Sequence, residues 1–239
     1  QYFVNSNLCF LFKKKAKEII NNNNLLGSFY KINNLIMKKG ELIPYKENIV
    51  LTPFHFLNCS KIKKIFLTDD LNIKIIPKCT FSFTNLMEIA IPSTVIRIKA
   101  AAFKYCHKLE KVTFLENSKL RKIDDFAFYE CYKLTTISIP NGVKIIPFKC
   151  FSFSGLISIE LPNSIQKVDQ FSFFNCTKLN TIILNEGLIE ICDFSFANNY
   201  SLSSIYLPDS LEIINKYAFA DCFNLKQVKT TENTNTHRN

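Results

Sequence analysis

From residue 62 onward the chain repeats one arrangement of apolar and polar positions. A leading aliphatic residue falls at Ile62, Leu86, Leu109, Leu134, Leu156, Leu179, Leu202 and Leu225, at intervals of 24, 23, 25, 22, 23, 23 and 23 residues. Each unit then runs as Leu156-Ile-Ser-Ile159-Glu-Leu161-Pro162 does, with apolar residues alternating at the end of the segment. Alternation predicts a short strand with one buried face. A proline directly after it ends the strand, because proline has no N–H for the ladder. The following stretch, Val143 to Phe151 in one unit, predicts a return on the opposite side with Ile146 and Phe151 turned inward, as one turn of α- or 3₁₀-helix allows. Every unit closes on a phenylalanine five residues after the last Ile or Val of its frame: Phe81, Phe103, Phe128, Phe151, Phe173, Phe196 and Phe219.

A unit of 23 residues buries too few side chains to stand alone, so units must stack and share one continuous core. The expected fold is therefore an α/β repeat solenoid, a right-handed superhelix with a parallel sheet on one face and irregular or short helical segments on the other. A fainter unit precedes the clear ones, with Pro44, Leu51, Phe56 and Cys59 in corresponding slots. This predicts a solenoid of seven to eight repeats over residues 42–228. Residues 1–41 fall outside the frame and are expected to be a helical cap, with Leu8, Phe12 and Ile19 on one face, or the remnant of an upstream region. Residues 229–239 are polar and aperiodic, and are expected to form a loose tail.

The frame Ile-Pro-x-x-Val-x-x-Ile-x-x-x-Ala-Phe-x-x-Cys-x-x-Leu resembles the BspA-like branch of leucine-rich repeats, found in surface proteins of bacteria and protozoa. Ala102-Phe103-Lys-Tyr-Cys106, Ala127-Phe128-Tyr-Glu-Cys131 and Ala218-Phe219-Ala-Asp-Cys222 carry the most recognisable part. The resemblance implies the solenoid above and a role in recognition or adhesion, with no shared catalytic residues. Two units depart from it: Phe81 and Phe151 are followed by Ser-Phe and reach the next Leu one residue early, which predicts altered turns there.

Composition changes the picture little. The net charge of +10 rests on 27 Lys and only 3 Arg, and the chain holds 25 Asn and 23 Phe but no Trp. Lys, Asn, Phe, Ile and Tyr share A/T-rich codons, so genome bias accounts for much of the excess. The first 48 residues contribute 8 Lys against 3 acids, half of the net charge, which leaves the repeat body mildly basic. Scattered Lys rather than Arg argues against nucleic acid, where planar bidentate donors are favoured. No apolar stretch reaches membrane-spanning length.

Candidate chemistry meets the same repeat logic. Cys59, Cys106, Cys131, Cys176 and Cys222 occupy one slot, three after the phenylalanine, with Asn199 in the same slot of another unit. A small residue recurring at the repeat period is expected to be a buried thiol ladder rather than a metal site or a disulfide framework. Cys106-His107 has the composition of a nucleophile and a base, but neighbours in an extended segment face opposite ways. Glycine-rich phosphate loops are absent from a chain with 5 Gly. Sequons at Asn58, Asn175 and Asn199 match the number expected by chance.

The expected function is thus a non-catalytic interaction module without cofactor, metal or small-molecule substrate, docking a protein partner. Alternation across each strand predicts two exposed rows on the sheet face. In one of them Glu160, Ile183 and Tyr206 fall on consecutive turns, with Ser204 beside them in the other. An exposed aliphatic and an aromatic beside a charge match the composition of interface anchors. The resemblance tilts the expected location toward the cell surface or secretion. An intracellular scaffold, or the binding region of an enzyme whose catalytic domain lies upstream of Gln1, are the alternatives.

Overall fold

The structure, a computed structural model, describes residues 29–32, 35–38, 41–44 and 50–230. Three strands lead in: β1 (Phe29–Ile32), β2 (Leu35–Lys38) and β3 (Glu41–Pro44). Most turns then supply a front strand and a two-residue back strand, starting with β4 (Lys64–Ile65) and β5 (Ile75–Ile76), β6 (Glu88–Ile91) and β7 (Arg97–Ile98), and β8 (Lys111–Phe114) and β9 (Lys122–Ile123). The next turn has only a back strand, β10 (Ile145–Ile146). There follow β11 (Ser158–Leu161) and β12 (Lys167–Val168), β13 (Thr181–Leu184) and β14 (Glu190–Ile191), β15 (Ser204–Leu207) and β16 (Ile213–Ile214), and finally β17 (Gln227–Thr230). From β3 onward all pairings are parallel and join equivalent positions of successive turns, as in Ile159↔Ile182 and Ile205↔Val228. The strands β6, β11 and β15 stop directly before Pro92, Pro162 and Pro208, as the missing N–H requires.

Of the two forms expected on the return side, irregular or short helical, the structure has the irregular one. Among the described residues there is no α-helix, and a single 3₁₀ turn spans Asp69–Leu71. In its place stand the two-residue back strands and an arc around each buried phenylalanine. In every arc the residues two before and two after the phenylalanine have positive φ, for example Ala101 (55°) and Tyr105 (62°) around Phe103, or Phe171 (56°) and Asn175 (56°) around Phe173. A helix needs an unbroken right-handed run, with its N–H groups pointing along its own axis. Alternating left- and right-handed residues instead aim every second N–H along the solenoid. The amides of Ala101, Phe103 and Tyr105 thus donate to Asp125, Ala127 and Tyr129 of the next turn at 2.9 Å. Each left-handed non-glycine residue costs about 1 kcal/mol, and each inter-turn bond returns a similar amount.

The phenylalanines inside these arcs form a column. Phe56, Phe81, Phe103, Phe128, Phe151, Phe173 and Phe196 have no exposed surface, and neighbouring rings stack with centroids 5.1–5.5 Å apart. The ladder slot beside them holds Cys59, Thr84, Cys106, Cys131, Ser154, Cys176, Asn199 and Cys222. Where it holds Cys106, Cys131, Cys176, Asn199 or Cys222, it donates to the phenylalanine carbonyl of the preceding turn. Cys106 Sγ reaches Phe81 O at 3.0 Å, Cys176 Sγ reaches Phe151 O at 3.0 Å, and Asn199 Nδ2 reaches Phe173 O at 3.1 Å. The units that lack the cysteine therefore keep a small polar residue, Thr84 or Ser154, each within 3.4 Å of the next thiol. The altered turns expected there are present. Most arcs close with an amide from the leading Leu to the ladder residue, as Leu109 N does to Cys106 O at 3.0 Å. Residue 155 sits in a shortened arc and must be glycine, because a Cβ would lie 1.9 Å from the Tyr132 carbonyl oxygen.

Interval differences in the repeat now have causes. From the start of the front strand to the start of the back strand, Lys64 to Ile75 and Lys111 to Lys122 are steps of 11 residues, two longer than the steps of 9 from β6, β11, β13 and β15, and each of these longer loops contains a left-handed Asn, Asn72 or Asn117. Shortened arcs at Phe81 and Phe151 subtract one. At the longest unit both sheets are interrupted: β8 and β9 are the last strands of theirs, and residues 134–139 form no strand. The arc bonds from Phe126, Phe128 and Glu130 to Phe148, Cys150 and Ser152 carry the stack across this gap. The long loop alone does not open the sheets, since pairing survives the one after β4. At this unit the Arg121 guanidinium fills the space that a side chain at Gly142 (φ 131°) would occupy, 2.3 Å from its Cβ position.

At the N-terminal side, residues 29–32, 35–38 and 41–44 are strands rather than part of a helical cap, and β3 joins the solenoid by pairing Glu41 with Lys64. The expected helix face of Leu8, Phe12 and Ile19 lies outside the described residues, as does the tail after residue 230. Lys229 and Thr230 belong to β17, two residues beyond the expected edge of the solenoid.

Candidate binding face

On the front sheet, alternation turns every second side chain outward, and the exposed positions line up by register. Ser158, Thr181, Ser204 and Gln227 make one row. Glu160 lies opposite Ile183, Ile183 opposite Tyr206, and Tyr206 opposite Lys229 in the other. The expected grouping is therefore brought together. Ile183 is 45% and Tyr206 42% exposed, while Ile182, Leu184 and Ile205 on the reverse of the same strands are buried. Glu160 is exposed and accepts a 3.2 Å hydrogen bond from Asn185 Nδ2. It also borders an open groove of about 710 Å³ lined by Thr136, Ser138, Asn141, Ser158 and Asn163. The groove faces the stretch 134–139, which forms no strand. Apolar anchors beside a polar, hydrogen-bonding trough are what a protein surface can engage chemically. At the other end of the front face Lys64 pairs with Glu88 on the next turn, which holds its ammonium above the usual lysine range, and lies 5.0 Å from the Phe66 ring.

The reactive-looking residues are separated or sealed. Cys106 is fully buried with its Sγ turned to Phe81 O, whereas His107 is exposed, stacked on Tyr132 at 4.7 Å and 3.7 Å from Glu130. They form no dyad. Burial pushes the Cys106 thiol up to about 12 and the Cys176 thiol up to about 11, far from a nucleophile's range. Among the described residues no three His, Cys, Asp or Glu side chains gather as metal ligands, and no helix is long and apolar enough to cross a membrane. Of the three sequons, Asn199 is fully buried and spends its amide on the Phe173 and Phe196 carbonyls, so a glycan has no room there.

A second surface was not foreseen from the sequence. The left-handed positions of the arcs point outward, and many are aromatic. Phe171, Phe194 and Tyr217 stack at 5.1 Å, and Phe126 meets Phe148 at 5.3 Å. Lys104 Nζ lies 4.8–4.9 Å from the rings of Tyr105, Phe126 and Tyr129, and this burial pulls its ammonium below the usual lysine range. The signal available was the recurrence of Phe or Tyr two residues before the core phenylalanine, at 126, 171, 194 and 217.

A family model described as a BspA type leucine rich repeat region matches residues 74–170 and 144–239. The crystal structure of the T. pallidum leucine rich repeat protein TpLRR is similar at 21% identity, over 83% of this chain and 87% of that one, with a TM-score of 0.57. A leucine-rich repeat protein from Eubacterium ventriosum is 20% identical over 82% of this chain and 60% of its own, with a TM-score of 0.54. Both share the fold. No curated protein matches the chain.

Proposed function

The chain belongs to the BspA type leucine rich repeat family, and from that premise we propose that it is a non-catalytic module that docks a protein partner on its front sheet. Ile183 and Tyr206 form the centre, with Glu160 and Ser204 around them. The observation that carries this reading is the register: one aliphatic and one aromatic side chain, each more than two-fifths exposed, stand on adjacent strands amid small polar residues. Solvent contact alone favours small polar residues throughout such a face. Each exposed apolar residue forfeits about 1–2 kcal/mol of burial that a partner would restore. The resemblance to surface repeat proteins supports adhesion or recognition at a cell surface as the setting, with an intracellular scaffold as the alternative.

The aromatic band on the arcs is the competing face. Its rings already cover one another at 4.4–6.0 Å, so much of its apolar surface is satisfied within the chain. Ile183 and Tyr206 have less such cover, and the front sheet is preferred for that reason. The test compares partner capture by Ile183→Ser, Tyr206→Ala and the back-side control Lys216→Ala. Loss in the first two with retention in the third is expected. Loss in the control alone would place the site elsewhere.

A further inference from the structure

The last described turn leaves open what every inner turn covers. In the back strands Ile146, Val168 and Ile191 have no exposed surface, whereas Ile214 in the same slot is 47% exposed. In the front strands Ile159, Ile182 and Ile205 are 2–5% exposed, whereas Val228 is 58% exposed. Phe219 and Leu225 are half-buried, although their counterparts Phe196 and Leu202 are sealed. Among the described residues β16 and β17 are the last strands of their sheets, so the outer edges that flank this apolar cross-section have no strand partner there. At the opposite end β3, β2 and β1 continue the front sheet beyond the first turn. Among the described residues nothing does so here.

An open solenoid end combines the two features that drive association, an apolar patch and a row of free N–H and C=O groups. We propose that this end docks on the same end of a second copy, about a two-fold axis, with β17 antiparallel to its counterpart. Three observations favour a second copy. The surface presents two strand edges with an apolar floor between them, and another solenoid end supplies the same elements at the same spacing. A two-fold contact needs a self-complementary surface, and pairing centred on Val228 sets Gln227 of each copy opposite Lys229 of the other, so that no lysines face. Finally, the exposed apolar side chains of this turn, Ile214, Tyr217, Phe223 and Val228 with parts of Phe219 and Leu225, offer on the order of 500 Å² per copy. The pair buries about 1,000 Å², the lower bound for a specific interface. A contact of that size fits a dissociation constant in the micromolar range, about 1–100 µM.

Sedimentation velocity of the 239-residue chain across that concentration range tests the proposal. A monomer–dimer equilibrium is expected, and Ile214→Glu combined with Val228→Lys should weaken it more than tenfold. Circular dichroism of the double variant checks that it folds. In a second measurement that does not depend on destabilising the end, Val228→Cys should give a covalent dimer under mild oxidation, because the two-fold axis brings position 228 of the copies together. Tyr206→Ala should leave the dimer intact, which separates this contact from the front-face site. A chain that stays monomeric throughout, as when residues 231–239 cover the end, overturns the proposal. So does a dimer that the double variant leaves unchanged or that Tyr206→Ala abolishes.

Discussion

Replacing Phe173 with alanine removes one ring from the middle of the phenylalanine column. The ring has no exposed surface and lies between Phe151, 5.3 Å away at 8°, and Phe196, 5.1 Å away at 2°. Truncating a buried phenylalanine costs about 3–5 kcal/mol. Two stacked neighbours place this site at the upper end, since each aromatic pair contributes roughly 0.5–1.5 kcal/mol beyond its buried area. Little relief comes from collapse. The backbone on either side is pinned to the next turn, Phe173 N to Ser195 O at 2.8 Å and Asn175 N to Ala197 O at 2.9 Å, so the walls of the cavity cannot close without breaking the arc ladder. With a urea dependence of roughly 2–3 kcal/mol per molar, a loss of about 4 kcal/mol moves the midpoint down by about 1.5 M. Thr181→Ala is the control, because its side chain is exposed and its hydroxyl bonds only the adjacent Asn180 side chain. Its cost should stay below about 0.5 kcal/mol. Urea melts followed by circular dichroism compare the two, and equal midpoints would refute the assignment of the column as the core.

Three further outcomes follow from the same ladders. Thiol labelling with mass spectrometry should find Cys106, Cys131 and Cys176 unmodified in the native protein while the half-buried Cys79 reacts before them, and rapid labelling of Cys106 would contradict its burial. Stability should fall in alkali. An unfolded thiol ionises near 9.0, but burial holds Cys176 to about 11 and Cys106 to about 12, so between those values the unfolded state has lost protons that the folded state keeps. The ladder's contribution is whole below pH 9 and is lost as pH rises toward 12, and a melting temperature unchanged between pH 8 and 11 would refute it. Hydrogen exchange should be faster at residues 136–139, which have no strand partners, than at β13, which is paired on both sides. Equal protection of the two segments would mean that the gap in the sheet is closed in solution.

The repeat and its core were legible because burial imposes a period. A leading Leu, a strand that alternates, a proline that ends it and a phenylalanine that fills the axis each leave a residue-type mark at a fixed spacing. Outward register on the front sheet follows from alternation alone, which is why Glu160, Ile183 and Tyr206 could be placed together in advance. The arcs were not legible, and the reason is physical. A left-handed backbone is advertised by Gly or Asn, and Asn58, Asn175 and Asn198 do hold such positions. The matching position before the phenylalanine carries Cys79, Ala101, Phe126 and Lys149, residues that pay for their conformation through inter-turn hydrogen bonds made one unit away. No local sequence signal records a bond of that kind.

The same contrast explains why the slot after the phenylalanine tolerates Cys, Thr, Ser and Asn. Only a small side chain with a donor is required: Cys and Asn199 donate to the preceding turn's carbonyl, Thr84 to Phe81 O of its own turn, and Ser154 meets the next thiol. Cysteine dominates because its weak S–H donor buries as an apolar group, and Asn199 shows the cost of the polar choice by leaving its Oδ1 buried without a partner. A thiol in this slot is therefore selected for packing and for one hydrogen bond, and its redox chemistry is suppressed by the burial that makes it useful. It follows that the ladder cysteines, which suggest chemistry in the sequence, belong to the scaffold. The side chains that the scaffold holds outward, Ile183 and Tyr206 among them, are the ones we propose for recognition.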